Sequence, residues 1–100
     1  MSSPVPTFTE LSELYKWLHA NPELSFQEVH TAALVERELR SLGFDVLTKI
    51  GKTGVVGILV NGEGPTVLLR ADMDALPVEE QTGLAYASTA LGNDPTGQEV

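Results

Sequence analysis

The chain has 100 residues, 42% of them hydrophobic and 20% charged, with no cysteine. That length suits one small domain, and the missing cysteines exclude a disulfide framework and any thiolate metal site made by these residues. Fourteen acidic against six basic side chains give a net charge of −8, the wrong sign for a nucleic-acid or anionic-membrane surface.

Residues 1–6, Met1-Ser2-Ser3-Pro4-Val5-Pro6, carry no basic stretch leading into an apolar one, so no signal peptide is expected. Leu11, Leu14, Tyr15 and Leu18 then recur at helical spacing, with Thr9 as the expected N-cap. Asn21-Pro22 ends this first helix, because a residue before proline avoids the α region. A second helix is expected from Ser25, with Glu28 completing a capping box, Leu34, Val35, Leu39 and Leu42 on its apolar face, and Gly43 closing it. After Gly43 the period changes to two. Phe44, Val46, Thr48 and Ile50 alternate with Asp45, Leu47 and Lys49, which predicts a strand near a sheet edge. A turn at 51–54 leads into an unalternating β-rich run at 55–60, expected to be covered on both faces and too short to span a bilayer. Asn61-Gly62 predicts a hairpin into a third strand at 66–72, apolar on both faces until Arg70. A further strand at 85–90 and a turn at 92–97 follow, and that turn has no element after it to close the layer. The fold class expected is α/β, two helices and then a mixed sheet.

Charge is unevenly placed. Residues 71–100 carry Asp72, Asp74, Glu79, Glu80, Asp94 and Glu99 and neither Lys nor Arg. Such a stretch is either a solvated acidic face or a surface that attracts cations. Arg70, Asp72 and Asp74 share one face if the strand persists, at the carboxyl end of an apolar run where ligands gather in open α/β sheets. The two aspartates could take a hard cation, orient a metal-bound His, or move a proton. The plainer reading is that Arg70 pairs with one of them. His19 at the end of the first helix and His30 at the start of the second lack the two-histidine spacing of a helical zinc site, and structural roles are expected for both. Gly51-Lys52-Thr53 is no phosphate loop, since position 46 is Val and a strand follows. No nucleophile elbow supports a serine hydrolase.

Leu18-His19-Ala20-Asn21-Pro22-Glu23-Leu24-Ser25, Glu28 and Leu42-Gly43-Phe44-Asp45-Val46 resemble the opening of the aminoacylase/carboxypeptidase family of metal-dependent amidohydrolases. Thr53-Gly54-Val55-Val56-Gly57, Leu69-Arg70-Ala71-Asp72-Met73-Asp74-Ala75-Leu76-Pro77, Glu79-Glu80 and Thr82-Gly83 are similar to the branch with hippurate hydrolases, N-acetyl-diaminopimelate deacetylases and auxin-conjugate amidohydrolases. The resemblance implies a two-domain enzyme with a zinc-peptidase-like catalytic domain, a two-ion site of Zn or of Mn or Co, and an N-acyl amino acid as the small-molecule substrate. In that chemistry the metal polarises the amide carbonyl and lowers the pKa of a bridging water, while a glutamate shuttles the proton. Asp72 stands where related branches place a metal-binding His, and Asp74 matches the aspartate that orients such a ligand; these two are the candidate site residues. The ligands themselves belong to later motifs of the family. Residues 1–100 are therefore expected to be an incomplete N-terminal portion of the catalytic domain, holding no metal and inactive alone. The resemblance allows a homodimer for the complete enzyme, and a cytoplasmic location without nucleic-acid or membrane partners is expected. The alternative is a small non-catalytic α/β module that binds a protein partner through an open sheet edge.

Overall fold

A computed structural model describes residues 7–93 and 98–99; the opening residues 1–6 and most of the turn expected at 92–97 lie outside these. Helix α1 spans Phe8–Ala20. Its N-cap is Thr7 rather than Thr9: the Thr7 hydroxyl accepts the Glu10 N–H at 3.2 Å and donates to the Glu10 carboxylate at 3.1 Å. The spacing explains the difference, since a capping pair wants a Glu three residues on, and position 12 after Thr9 is Ser. Asn21 closes the helix, its main-chain N–H reaching the Trp17 carbonyl at 3.0 Å and its side-chain amide the same oxygen at 2.8 Å.

Helix α2 spans Val29–Ser41, four residues later than the start expected at Ser25. Leu24 is bridged to Ala75 in parallel, and its carbonyl accepts the Gln27 N–H at 2.9 Å. With Phe26 at φ 61°, these contacts fold 24–27 into a turn that cannot begin a helix. The Ser25–Glu28 capping box is therefore absent. Instead the Glu23 carboxylate caps the helix from upstream, accepting the N–H groups of His30 at 3.0 Å and Thr31 at 2.5 Å. At the other end Phe44 N–H reaches the Leu39 carbonyl and Gly43 N–H the Arg40 carbonyl, both at 3.1 Å, a Schellman closure with Gly43 at φ 92°. Replacing the cap, Glu23→Ala, is expected to destabilise α2 by about 1–2 kcal/mol, visible as lost amide-exchange protection at His30 and Thr31.

Strands β1, Asp45–Ile50, and β2, Gly54–Ile58, form an antiparallel pair. Asp45 faces Ile58, Val46 faces Gly57 and Leu47 faces Val56, and the register then slips before Ile50 meets Gly54. Lys49, in the left-handed region at φ 58°, sits at that irregularity. Helix α2 lies on both strands, with Leu39 and Phe44 over Gly57, where an added Cβ would come within 3.0 and 3.2 Å of them. The hairpin tip folds back on the start of α2: the Thr53 hydroxyl donates to the Glu28 carboxylate, and the Lys52 ammonium stands 4.9 Å from the Phe26 ring centre.

The strands expected at 66–72 and 85–90 do not form, and β2 stops at Ile58 instead of residue 60. A strand exists only against a hydrogen-bonding neighbour, and the backbone of 66–74 has none among the described residues. Val67, Leu68 and Leu69 are consequently 79%, 86% and 91% exposed. Among the described residues the sheet is one antiparallel pair, with two isolated bridges besides, the parallel Leu24–Ala75 and the antiparallel Asn93–Glu99. Among the described residues no hydrophobic side chain is fully buried; the buried residues are Glu28 and Thr31. The radius of gyration, 15.9 Å, exceeds the roughly 13 Å of a compact domain of this length, so the apolar faces are incompletely covered. No helix of the described residues is long and apolar enough to cross a membrane.

Candidate functional site

The residues singled out from sequence lie on the irregular segment that enters the Leu24–Ala75 bridge. Arg70 and Asp72 form an ion pair at 2.8 Å, with side chains 81% and 66% exposed, so solvent screens the pair. Asp74 is exposed and makes no hydrogen bond to another described residue. One residue on, the Ala75 N–H donates to the Glu23 carbonyl at 2.8 Å. The segment is thereby pinned beside the link between α1 and α2, immediately after Asp74. Among the described residues no three His, Cys, Asp or Glu side chains gather in a way that could hold a metal ion. The described residues by themselves do not compose a two-ion centre.

The densest polar cluster is centred on Glu80. Its carboxylate accepts from the Thr82 hydroxyl at 2.5 Å, from His19 Nε2 at 2.8 Å and from the Ser88 N–H at 2.7 Å. The Thr82 hydroxyl, the His19 ring and the Ser88 amide together hold its pKa down at about 2. A carboxylate that only accepts requires His19 Nε2 to carry the proton. The Tyr86 ring stands edge-on to His19 at 5.4 Å and to Tyr15 at 6.1 Å, fixing the imidazole plane. Because the folded-state pKa is depressed, Glu80 contributes stability above its ordinary value of 4.5 that is lost as pH falls towards about 2. Acid titration is therefore expected to release residues 79–88 from α1 within that window, read from the Tyr86 ring proton shifts.

Glu23 is the second acid that sequence reasoning passed over. Burial pushes its pKa up, but the backbone N–H groups of Thr31 and His30, helped by both side chains, outweigh that and hold it below the ordinary value. His30 Nδ1 lies 3.1 Å from the same carboxylate, and His19 sits on Glu80, so each histidine is engaged by a glutamate. A signal for Glu23 was present in the sequence, since an acid seven residues ahead of a helical His can reach that first turn only if the link folds back. For Glu80 no local signal separates it from Glu79.

No family model matches the chain. It is 49% identical over 80 residues to the hippurate hydrolase of Campylobacter jejuni, covering 79% of this chain and 21% of that one. It is 43% identical over 95 residues to the N-acetyl-L-cysteine deacetylase of Bacillus subtilis, covering 91% of this chain and 23% of the relative. A crystal structure of the Bacillus subtilis YXEP protein, described as a dinuclear metal binding peptidase from the M20 family, matches with a TM-score of 0.73 and 43% identity. That match covers 82% of this chain and 23% of the YXEP chain. The chain thus spans about a fifth of the length of the curated relatives it matches.

Proposed function

From the premise that the chain belongs to the amidohydrolase/carboxypeptidase family, we propose that it is an N-terminal portion of the catalytic domain of a metal-dependent amidohydrolase. The reaction in this reading is hydrolysis of an N-acyl amino acid to a carboxylate and a free amino acid. One observation carries it: identity of 43–49% to hydrolases named for such amides extends over most of the chain. The dinuclear metal peptidase with the matching fold supports a pair of metal ions in the complete protein, which this reading takes to be zinc, manganese or cobalt. Asp74 and Asp72 would act there from behind the ligands, the ligands coming from sequence other than the residues described. The hydrolase names of the relatives support a small-molecule substrate, and a homodimeric, cytoplasmic whole completes the reading.

A non-catalytic module that works through its sheet edge fits less well. Such a module needs a core of its own, and among the described residues no hydrophobic side chain is fully buried. The 100-residue chain alone is expected to leave N-acetyl and N-benzoyl amino acids intact with or without Zn²⁺, Mn²⁺ or Co²⁺. A chimera tests the positive side: residues 1–100 replace the matching stretch of the Bacillus subtilis deacetylase, and metal-dependent release of free amino acid is followed. Turnover by the chimera and none by the chain is the expected pair of results. Turnover by the chain alone, abolished by Asp74→Ala, would place the chemistry within these residues and overturn the assignment.

A further inference from the structure

Two stretches fifty residues apart in sequence meet at one seat. The first runs from His19, in the last turn of α1, to Leu24 in the link between the helices; the second runs from Asp74 to Ser88. Glu23 serves both: its carboxylate caps α2 while its carbonyl takes the Ala75 N–H at 2.8 Å. Leu24 adds the parallel bridge to Ala75. Four residues before Glu23, His19 donates Nε2–H to Glu80, whose other oxygen holds the Ser88 N–H and closes residues 80–88 into a loop. Tyr15 and Tyr86 fix the His19 ring, and Lys16, 5.9 Å from the Tyr86 ring centre, is the nearest cation on α1. The stretch from 75 to 80 is thus held at one end by the Glu23 carbonyl on the Ala75 N–H and at the other by His19 on the Glu80 side chain. Asp74, which has no hydrogen-bond partner among the described residues, stands directly before the first hold.

A carboxylate without partners takes its position from its backbone. For a group that orients a ligand or moves a proton, misplacement by an ångström can cost about a hundredfold in rate. We infer that His19 and Glu80 are positioning residues for Asp74, the hydrogen bond between them and the Ala75–Glu23 bond together fixing the main chain that carries it. This rests on the amidohydrolase reading for the role of Asp74, but the seat itself is geometric. It also explains why the His19–Leu24 and Asp74–Ser88 stretches, both part of the family resemblance, belong together: they are two halves of one support.

Amide hydrogen exchange on the 100-residue chain at low concentration tests the seat without any substrate. The Ala75 and Ser88 amides are expected to be protected in the unaltered chain. His19→Leu removes the donor and should speed exchange at both by about tenfold, the loss of a hydrogen bond to a charged group. His19→Gln, which keeps an N–H donor, should recover most of the protection, while the β1–β2 amides stay unchanged in both variants. In the deacetylase chimera, His19→Leu should lower kcat about tenfold with KM little changed, and His19→Gln should restore it. Unprotected Ala75 in the unaltered chain, Ala75 exchange indifferent to His19→Leu, or kcat indifferent to it would each overturn the inference. A chimera that hydrolyses no acyl amino acid defeats the amidohydrolase reading instead, and the exchange measurement then still decides whether the seat exists.

Discussion

On size-exclusion chromatography the 100-residue chain is expected to elute as a concentration-dependent mixture of monomer and larger species, and Leu68→Asp is expected to return it to monomer. Val67, Leu68 and Leu69 are 79%, 86% and 91% exposed, and the backbone that carries them has no hydrogen-bonding neighbour among the described residues. Burying each such side chain gains about 1.5–3 kcal/mol, and a row of free N–H and C=O groups lets a second strand align on it. Leu59 and Val60 before this run in sequence, and Leu76 and Val78 after it, are exposed as well. The net charge of −8 opposes association, so salt should strengthen it by screening that repulsion. Leu68→Asp adds charge where the strand would pair and costs the monomer less than about 0.5 kcal/mol, since the side chain touches little there. A monodisperse monomer across the whole concentration range would show that this surface is self-contained. The amide hydrolysis proposed for the complete protein does not enter that measurement.

The same segment shows what could be read from the sequence and what could not. Both helices and the first two strands were legible, because each carries its own signals: the apolar spacing of Leu11, Leu14 and Leu18, Gly43 as a helix stop, and the alternation from Phe44 to Ile50. Boundaries moved where tertiary contacts took over, as when the Leu24–Ala75 bridge delayed α2 to Val29. The third strand expected at 66–72 is absent for a different reason. Its composition is that of a buried central strand, yet pairing is a property of two segments, and the described residues supply only one. Asp72 and Asp74 stood out as charges following an apolar run, and Arg70 does pair with Asp72. The His19–Glu80 contact was not legible. It joins positions 61 residues apart, and nothing local distinguishes Glu80 from its neighbour Glu79.

Gly54→Ala is expected to abolish the β1–β2 hairpin, while Gly57→Ala in the same strand is tolerated at a cost of about 1 kcal/mol. The two glycines meet different neighbours. A Cβ at Gly57 would approach Leu39 Cδ1, a side-chain end, at 3.0 Å and Phe44 Cδ2, a ring edge, at 3.2 Å, both side-chain atoms that can yield by a few tenths of an ångström. A Cβ at Gly54 would press on the Ile50 carbonyl oxygen, which is main chain and cannot swing away. Ile50 and Gly54 are also the register pair that closes the turn, so relieving the clash means parting the strands at their tip. Thr53 would move with them and withdraw its hydroxyl from Glu28, a carboxylate only 6% exposed. Leaving that group without its donor adds about 1–3 kcal/mol to the overpacking itself, more than a two-stranded sheet can absorb. Cross-strand proton contacts between Val46 and Gly57 and between Leu47 and Val56 should vanish in Gly54→Ala and persist in Gly57→Ala. If both variants keep them, the Ile50 carbonyl has room to move and the hairpin tip is not anchored through Glu28.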